Sequence, residues 1–125
     1  MIQRFAAADD GSVEHAMQIG NGRAFLKLLS GELDEAITTL RGVLPLGPRC
    51  KDPMIALSTV NLLAWSESYA AKYEEAIATA DELIARAELS ALGFASDHGS
   101  LGMARALVGL RRFAEAKRFR DLSNR

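Results

Sequence analysis

The stretch Gly31-Glu32-Leu33-Asp34-Glu35-Ala36-Ile37 decides the fold. It returns in weaker form as Lys72-Tyr73-Glu74-Glu75-Ala76-Ile77 and again as Phe113-Ala114-Glu115-Ala116. The Glu-Ala pair stands at 35–36, 75–76 and 115–116, a spacing of 40 residues both times. A fixed period of that size marks an array of helical repeats, in which each unit buries its apolar side only against a neighbour.

Outward from this stretch, apolar residues fall at helical spacing. A first long helix is expected over about Val13 to Leu29, with Met17, Ala24, Phe25 and Leu28 on its inner side and Ser12 as N-cap. Ser30-Gly31 turns the chain. A second helix is expected from about Leu33 to Leu44, ended by Pro45, Gly47 and Pro48, with Arg49 to Asp52 as a linker. Asp52-Pro53 is a start signal, an acid at the cap followed by a proline that needs no N–H. Further helices are expected over about Met54 to Ala70, Tyr73 to Ser90, Ala95 to Leu110 and Phe113 to Leu122. Gly20-Asn21-Gly22 reads as local fraying of the first helix. Met1 to Ala8 lie one period before Arg41 to Pro48 and are expected to be the last turns of a helix whose beginning is absent. No segment alternates as a strand would. The expected fold class is all-α, an antiparallel helix-pair solenoid of about three repeats. It forms one domain over residues 1–125, with repeats near 13–50, 53–92 and 94–122.

These residues resemble the tetratricopeptide repeat family. Its pattern sets a small residue in the first helix of each pair, a Gly at the turn, an aromatic, then Ala, a large residue and Pro. The first repeat matches at Ala24, Gly31, Leu33 (where the pattern has an aromatic), Ala36, Leu40, Leu44 and Pro48. The second matches at Leu63, Ala64, Tyr73, Ala76 and Ile77, and the third at Met103, Ala104, Leu107, Phe113 and Ala116. That family repeats every ~34 residues; the stretched period here resembles the arrays of large bacterial LuxR-type regulators of the maltose-activator kind. The resemblance implies a right-handed superhelix whose concave groove is lined by the first helix of each pair. Carried over, it places Gln18, Asn21, Phe25 and Leu29 there from the first repeat. The second supplies Ser58, Asn61, Trp65 and Tyr69, and the third His98, Leu101 and Arg105. Phe25, Trp65 and Arg105 are one period apart, and aromatic and Arg side chains dominate binding hot spots. The residues expected to bind are therefore Gln18, Asn21, Phe25, Asn61, Trp65, Tyr69, His98 and Arg105. Core packing is the competing reading for Phe25 and Trp65.

The resemblance implies a non-catalytic module that holds a protein or peptide, within a transcriptional regulator or signalling protein. The alternative is a sensor domain whose groove holds a small inducer. The sequence itself has no phosphate-binding G-x-x-x-x-G-K-[ST] stretch and no G-x-S-x-G elbow. His15 and His98 have no Cys or carboxylate at metal-ligand spacing. No enzyme activity, cofactor or metal is expected. Cys50 is alone, so it has no internal disulfide partner.

Net charge is −1, which gives no global push toward nucleic acid or membrane. No apolar run spans a bilayer and no signal peptide is legible, so a cytoplasmic location is expected. Residues 111–125 concentrate six basic and two acidic groups. A solvated helix face is the plain reading of that run, and contact with an acidic partner or nucleic acid the sharper one, with nucleic acid not expected for this segment itself. The sixth helix carries Phe113, Phe119 and Leu122 with no following helix to cover them. The array is therefore expected to be cut at both ends, with self-association through the last helix or further repeats beyond it.

Overall fold

A computed structural model describes residues 11–90 and 92–123. Six α-helices follow one another: α1 Ser12–Leu29, α2 Leu33–Val43, α3 Pro53–Tyr69, α4 Tyr73–Ser90, α5 Gly93–Gly109 and α6 Phe113–Ser123. The described residues contain no strand, so the protein is all-α. Met1 to Ala8 lie outside the described residues.

Three boundaries depart from the sequence reading. The N-cap of α1 is Gly11, at φ 92°, and Ser12 is already the first helical residue. Pro45, Gly47 and Pro48 do not open into a linker; the chain continues as a 3-10 helix over Leu44–Arg49. Proline ends the α-helical hydrogen-bond ladder, but its fixed φ also suits the tighter winding. α5 begins at Gly93, capped at Leu92, two residues before the expected Ala95. The Asp52 signal stands: its Oδ1 accepts the Met54 N–H at 2.9 Å, and Pro53 opens α3.

The sequence period reappears in the backbone. Gly31, Ala71 and Arg111 all take left-handed φ, of 79°, 61° and 61°. In each case the next residue's N–H reaches back to the helix before it: Glu32 to the Lys27 carbonyl at 2.9 Å, Lys72 to Glu67 at 2.8 Å, Arg112 to Leu107 at 2.8 Å. The left-handed residue itself donates to Leu28, Ser68 and Val108 respectively. This is the Schellman ending, made three times at one spacing, and it satisfies the orphan carbonyls of the first helix of each pair. Only the first copy has the residue that suits it, since a Cβ in the left-handed region costs about 1–2 kcal/mol. Ala71→Gly is therefore expected to raise stability by about 1 kcal/mol, and Gly31→Ala to lower it by a similar amount. Urea midpoints at constant slope check both.

Each turn folds two helices together, α1 with α2, α3 with α4 and α5 with α6. The pairs are close because small residues meet in them. Ala24, Ala64 and Ala104 on the first helices and Ala36, Ala76 and Ala116 on the second are all buried. Gly20 serves the same end: a Cβ there would stand 2.7 Å from Val43 Cγ1. The Gly20-Asn21-Gly22 stretch is thus unbroken helix at a close approach, not a frayed segment.

Between pairs the packing is asymmetric. α3 lies against both α1 and α2, and α5 against both α3 and α4, whereas the backbones of α2 and α4 stay apart, as do those of α4 and α6. The odd helices consequently form a continuous row. The core runs along this row as three clusters: Ala24, Leu28, Ala36, Ile37, Leu40 and Leu63; then Leu57, Val60, Leu83, Ala87 and Ala95; then Ala64, Ala80, Met103, Leu107 and Ala116.

Candidate functional site: an aromatic ladder on the odd helices

A row of odd helices with a 40-residue period must bring equivalent positions side by side. Phe25, Trp65 and Arg105 do meet in this way. The Phe25 and Trp65 rings have centroids 6.2 Å apart, tilted by 53°. Arg105 sits over the Trp65 ring, its guanidinium carbon 5.8 Å from the centroid, within cation–π range. Tyr69, one helical turn beyond Trp65 on α3, closes edge-on at 6.0 Å. Phe25 and Tyr69 are 39% and 56% exposed, so the ladder faces outward with Trp65 half-buried at its centre.

Trp65 also packs against the first core cluster. Its indole N–H is buried with no acceptor among the described residues. A buried unpaired donor costs about 1–3 kcal/mol, which a phenylalanine or leucine at this place would avoid. The core reading of Trp65 is thus met in part: its ring helps close the first cluster, while its N–H is left without an acceptor there.

The other sequence-derived positions divide. Asn61 and His98 come together across α3 and α5, bordering a cleft of about 140 Å³ with Leu57 and Leu83 beneath. Asn21 turns inward: its Oδ1 accepts the Thr59 hydroxyl at 2.7 Å and its Nδ2 donates to the Ile55 carbonyl at 3.4 Å. It fastens α1 to α3 and has less capacity left for a ligand. Gln18 is exposed on α1, outside the aromatic ladder.

One constellation was missed by the sequence reading. Glu67, on α3, has a side chain only 1% exposed although its carboxyl is ionisable. Thr79 of α4 donates its hydroxyl to Oε1 at 2.6 Å, and Arg41 of α2 donates to Oε2 at 3.0 Å. Burial pushes the Glu67 carboxyl above the ordinary carboxylate range, against the opposing pull of Thr79 and Arg41. It ties three helices together and lies among structural side chains. Cys50 is half-buried, its Sγ donating to the Asp52 carbonyl, and burial pushes its thiol up, away from the thiolate a nucleophile needs. Among the described residues no three His, Cys, Asp or Glu side chains gather as a metal site would require. None of the described helices is long and apolar enough to cross a membrane.

No family model, curated protein or solved structure matches this chain.

Proposed function

We propose that the chain is a tetratricopeptide-like solenoid module that binds a protein or peptide along the outward face of α1, α3 and α5. The observation that carries this reading is the ladder Phe25–Trp65–Arg105: one position per period, one side chain per odd helix, with Trp65 beside each of the other two, Phe25 exposed and Trp65 and Arg105 half-buried. The thrice-made turn and the contact of each odd helix with both members of the preceding pair support the solenoid assignment. A ligand lying across the row would meet aromatic area first, with Arg105 placed to receive a carbonyl or carboxylate and Asn61 and His98 offering hydrogen bonds alongside. The cleft beside Asn61 and His98, at about 140 Å³, is small against the roughly 300–1,000 Å³ of small-molecule sites, which disfavours an inducer enclosed at that cleft. The stretched repeat supports a place within a bacterial transcriptional regulator or signalling protein.

Because Trp65 also closes the core, Tyr69 and Arg105 give the cleaner test. With a peptide selected from a random display library, Tyr69→Ala and Arg105→Ala should each weaken binding by about 1–2 kcal/mol, roughly tenfold, with the melting curve unchanged. Titration followed by the fluorescence of Trp65, the single tryptophan, measures it. Unaltered affinity in both variants would remove the site from this face.

A further inference from the structure

The first helix pair is closed on one side by α3, whose Leu63 completes the cluster around Ala36 and Leu40. The second pair is closed in the same manner by α5. Met103, one period after Leu63, packs with Ala64 and Ala80, and the α5 backbone at Gly109 lies directly against the Tyr73 ring. The third pair has the corresponding side, and no helix among the described residues covers it. There Leu101 and Val108 of α5 and Phe113 and Ala116 of α6 border an open hollow of about 500 Å³. Phe113 is 60% exposed, whereas Tyr73, its equivalent one period earlier, is half-buried under α5.

The rim of this hollow is basic: Arg105, Lys117 and Arg120 line it. Arg120 pairs with the adjacent Asp121 at 3.2 Å, and neither Arg105 nor Lys117 has an ion-pair partner among the described residues. We propose that this end face docks an amphipathic α-helix of a partner protein, with a narrow apolar stripe and carboxylates along its flanks. The shape follows from the molecule itself, since two equivalent faces already hold a helix. The charge follows from the rim, because acidic flanks would meet Lys117 and Arg120 at the edge of an apolar contact. A second copy of the chain fits less well. Arg23 stands one period before Leu63, so a copy docked head to tail would set an arginine at the centre of the contact, beside three like charges.

Two fluorescein-labelled helical peptides test this. Both keep the α5 positions that cover the second pair (Ala95, Gly99, Gly102 and Met103); one carries glutamate along its flanks and the other lysine. By anisotropy the glutamate peptide should bind saturably and the lysine peptide about tenfold more weakly or worse, with the gap narrowing as salt rises. Lys117→Glu together with Arg120→Glu should reverse the order. Val108→Asp, at a position 51% exposed, should abolish binding by the glutamate peptide while the circular dichroism and melting stay those of the parent. Equal affinity for the two peptides, binding by neither, or a Val108→Asp variant that binds normally would overturn the proposal. Self-association in sedimentation that Val108→Asp removes would seat a second copy on the face and overturn it equally. Because Tyr69 lies outside this face, failure here leaves the test of the aromatic ladder standing.

Discussion

Ala76→Phe is expected to cost about 3 kcal/mol or more and to leave the protein largely unfolded at moderate temperature. Ala76 has no exposed surface and sits where α4 crosses α3. Inserting a ring into a packed contact costs about 1–3 kcal/mol when neighbours can give way. Here α4 is held from two directions, by α3 within its pair and by α5 beyond it, so separating one contact strains the other. Domains of this size have about 5–15 kcal/mol in total, which makes such a loss a large fraction. Glu74→Ala and Asp81→Ala, on the exposed side of the same helix, should stay within about 0.5 kcal/mol of the parent. The third pair supplies a graded control. Ala116 occupies the equivalent position but borders the open hollow, so Ala116→Phe can direct its ring into that space and should cost less than Ala76→Phe. Urea unfolding followed by circular dichroism ranks the variants; equal midpoints for Ala76→Phe and Glu74→Ala would place Ala76 outside the helix contact.

That ranking was legible in the sequence because small residues at a fixed period carry their reason on their face: only a close helix crossing needs alanine at 36, 76 and 116. The extent of α4, Tyr73–Ser90, was legible for a related reason, an aromatic start and an unbroken apolar stripe. Phe25, Trp65 and Arg105, one period apart in the sequence, lie in a row with Trp65 beside each of the other two. What escaped had no residue signature. The turns at Ala71 and Arg111 are made by backbone hydrogen bonds, and neither residue type favours positive φ. Asn21 looked like a groove residue because Asn61 lies one period on, but Thr59 draws it inward, and no pattern in one strip of sequence contains that pairing. Ser66, Glu67 and Ser68 are polar side chains in a row, yet all three are buried. The signal that could have exposed Glu67 was the period itself: Leu107 and Phe119 stand one period after Glu67 and Thr79, so the third pair fills with apolar atoms the place where the second pair holds an acid and a hydroxyl.

The Glu67 site yields the other large effect, and it comes from a residue on the surface. Arg41→Ala removes a side chain that is 55% exposed, a class of change that ordinarily costs little. Its partner, however, is a carboxylate whose side chain is 1% exposed, and loss of Arg41 leaves that charge buried with only the Thr79 hydroxyl to hold it. Stranding a buried charge costs several kcal/mol, and because Arg41 itself is well solvated the expected loss at neutral pH is about 2 kcal/mol. Glu67→Leu should behave oppositely. It strands nothing: Arg41 turns to water, and the Thr79 hydroxyl keeps the Glu75 carbonyl at 2.9 Å. Replacing a buried ion pair by an apolar side chain of similar volume is often neutral or stabilising, so this variant should match or exceed the parent. The pH dependence separates the two further. The Glu67 carboxyl titrates above the ordinary carboxylate range in the folded protein, burial being the larger cause. The folded state therefore holds its proton more tightly than the unfolded chain. The contribution of this group is fully present below the unfolded pKa and is lost as pH rises through the folded one. Arg41→Ala removes a group that lowers the folded value, so it should widen that window and steepen the loss. Its deficit against the parent should be largest at neutral pH and shrink on acidification, as Glu67 takes up a proton and no charge remains to be stranded. In Glu67→Leu this component should vanish. Chemical unfolding of the three proteins from pH 4 to 8 measures it, and a deficit in Arg41→Ala that does not change with pH would show that Arg41 acts by packing and not by answering the buried charge.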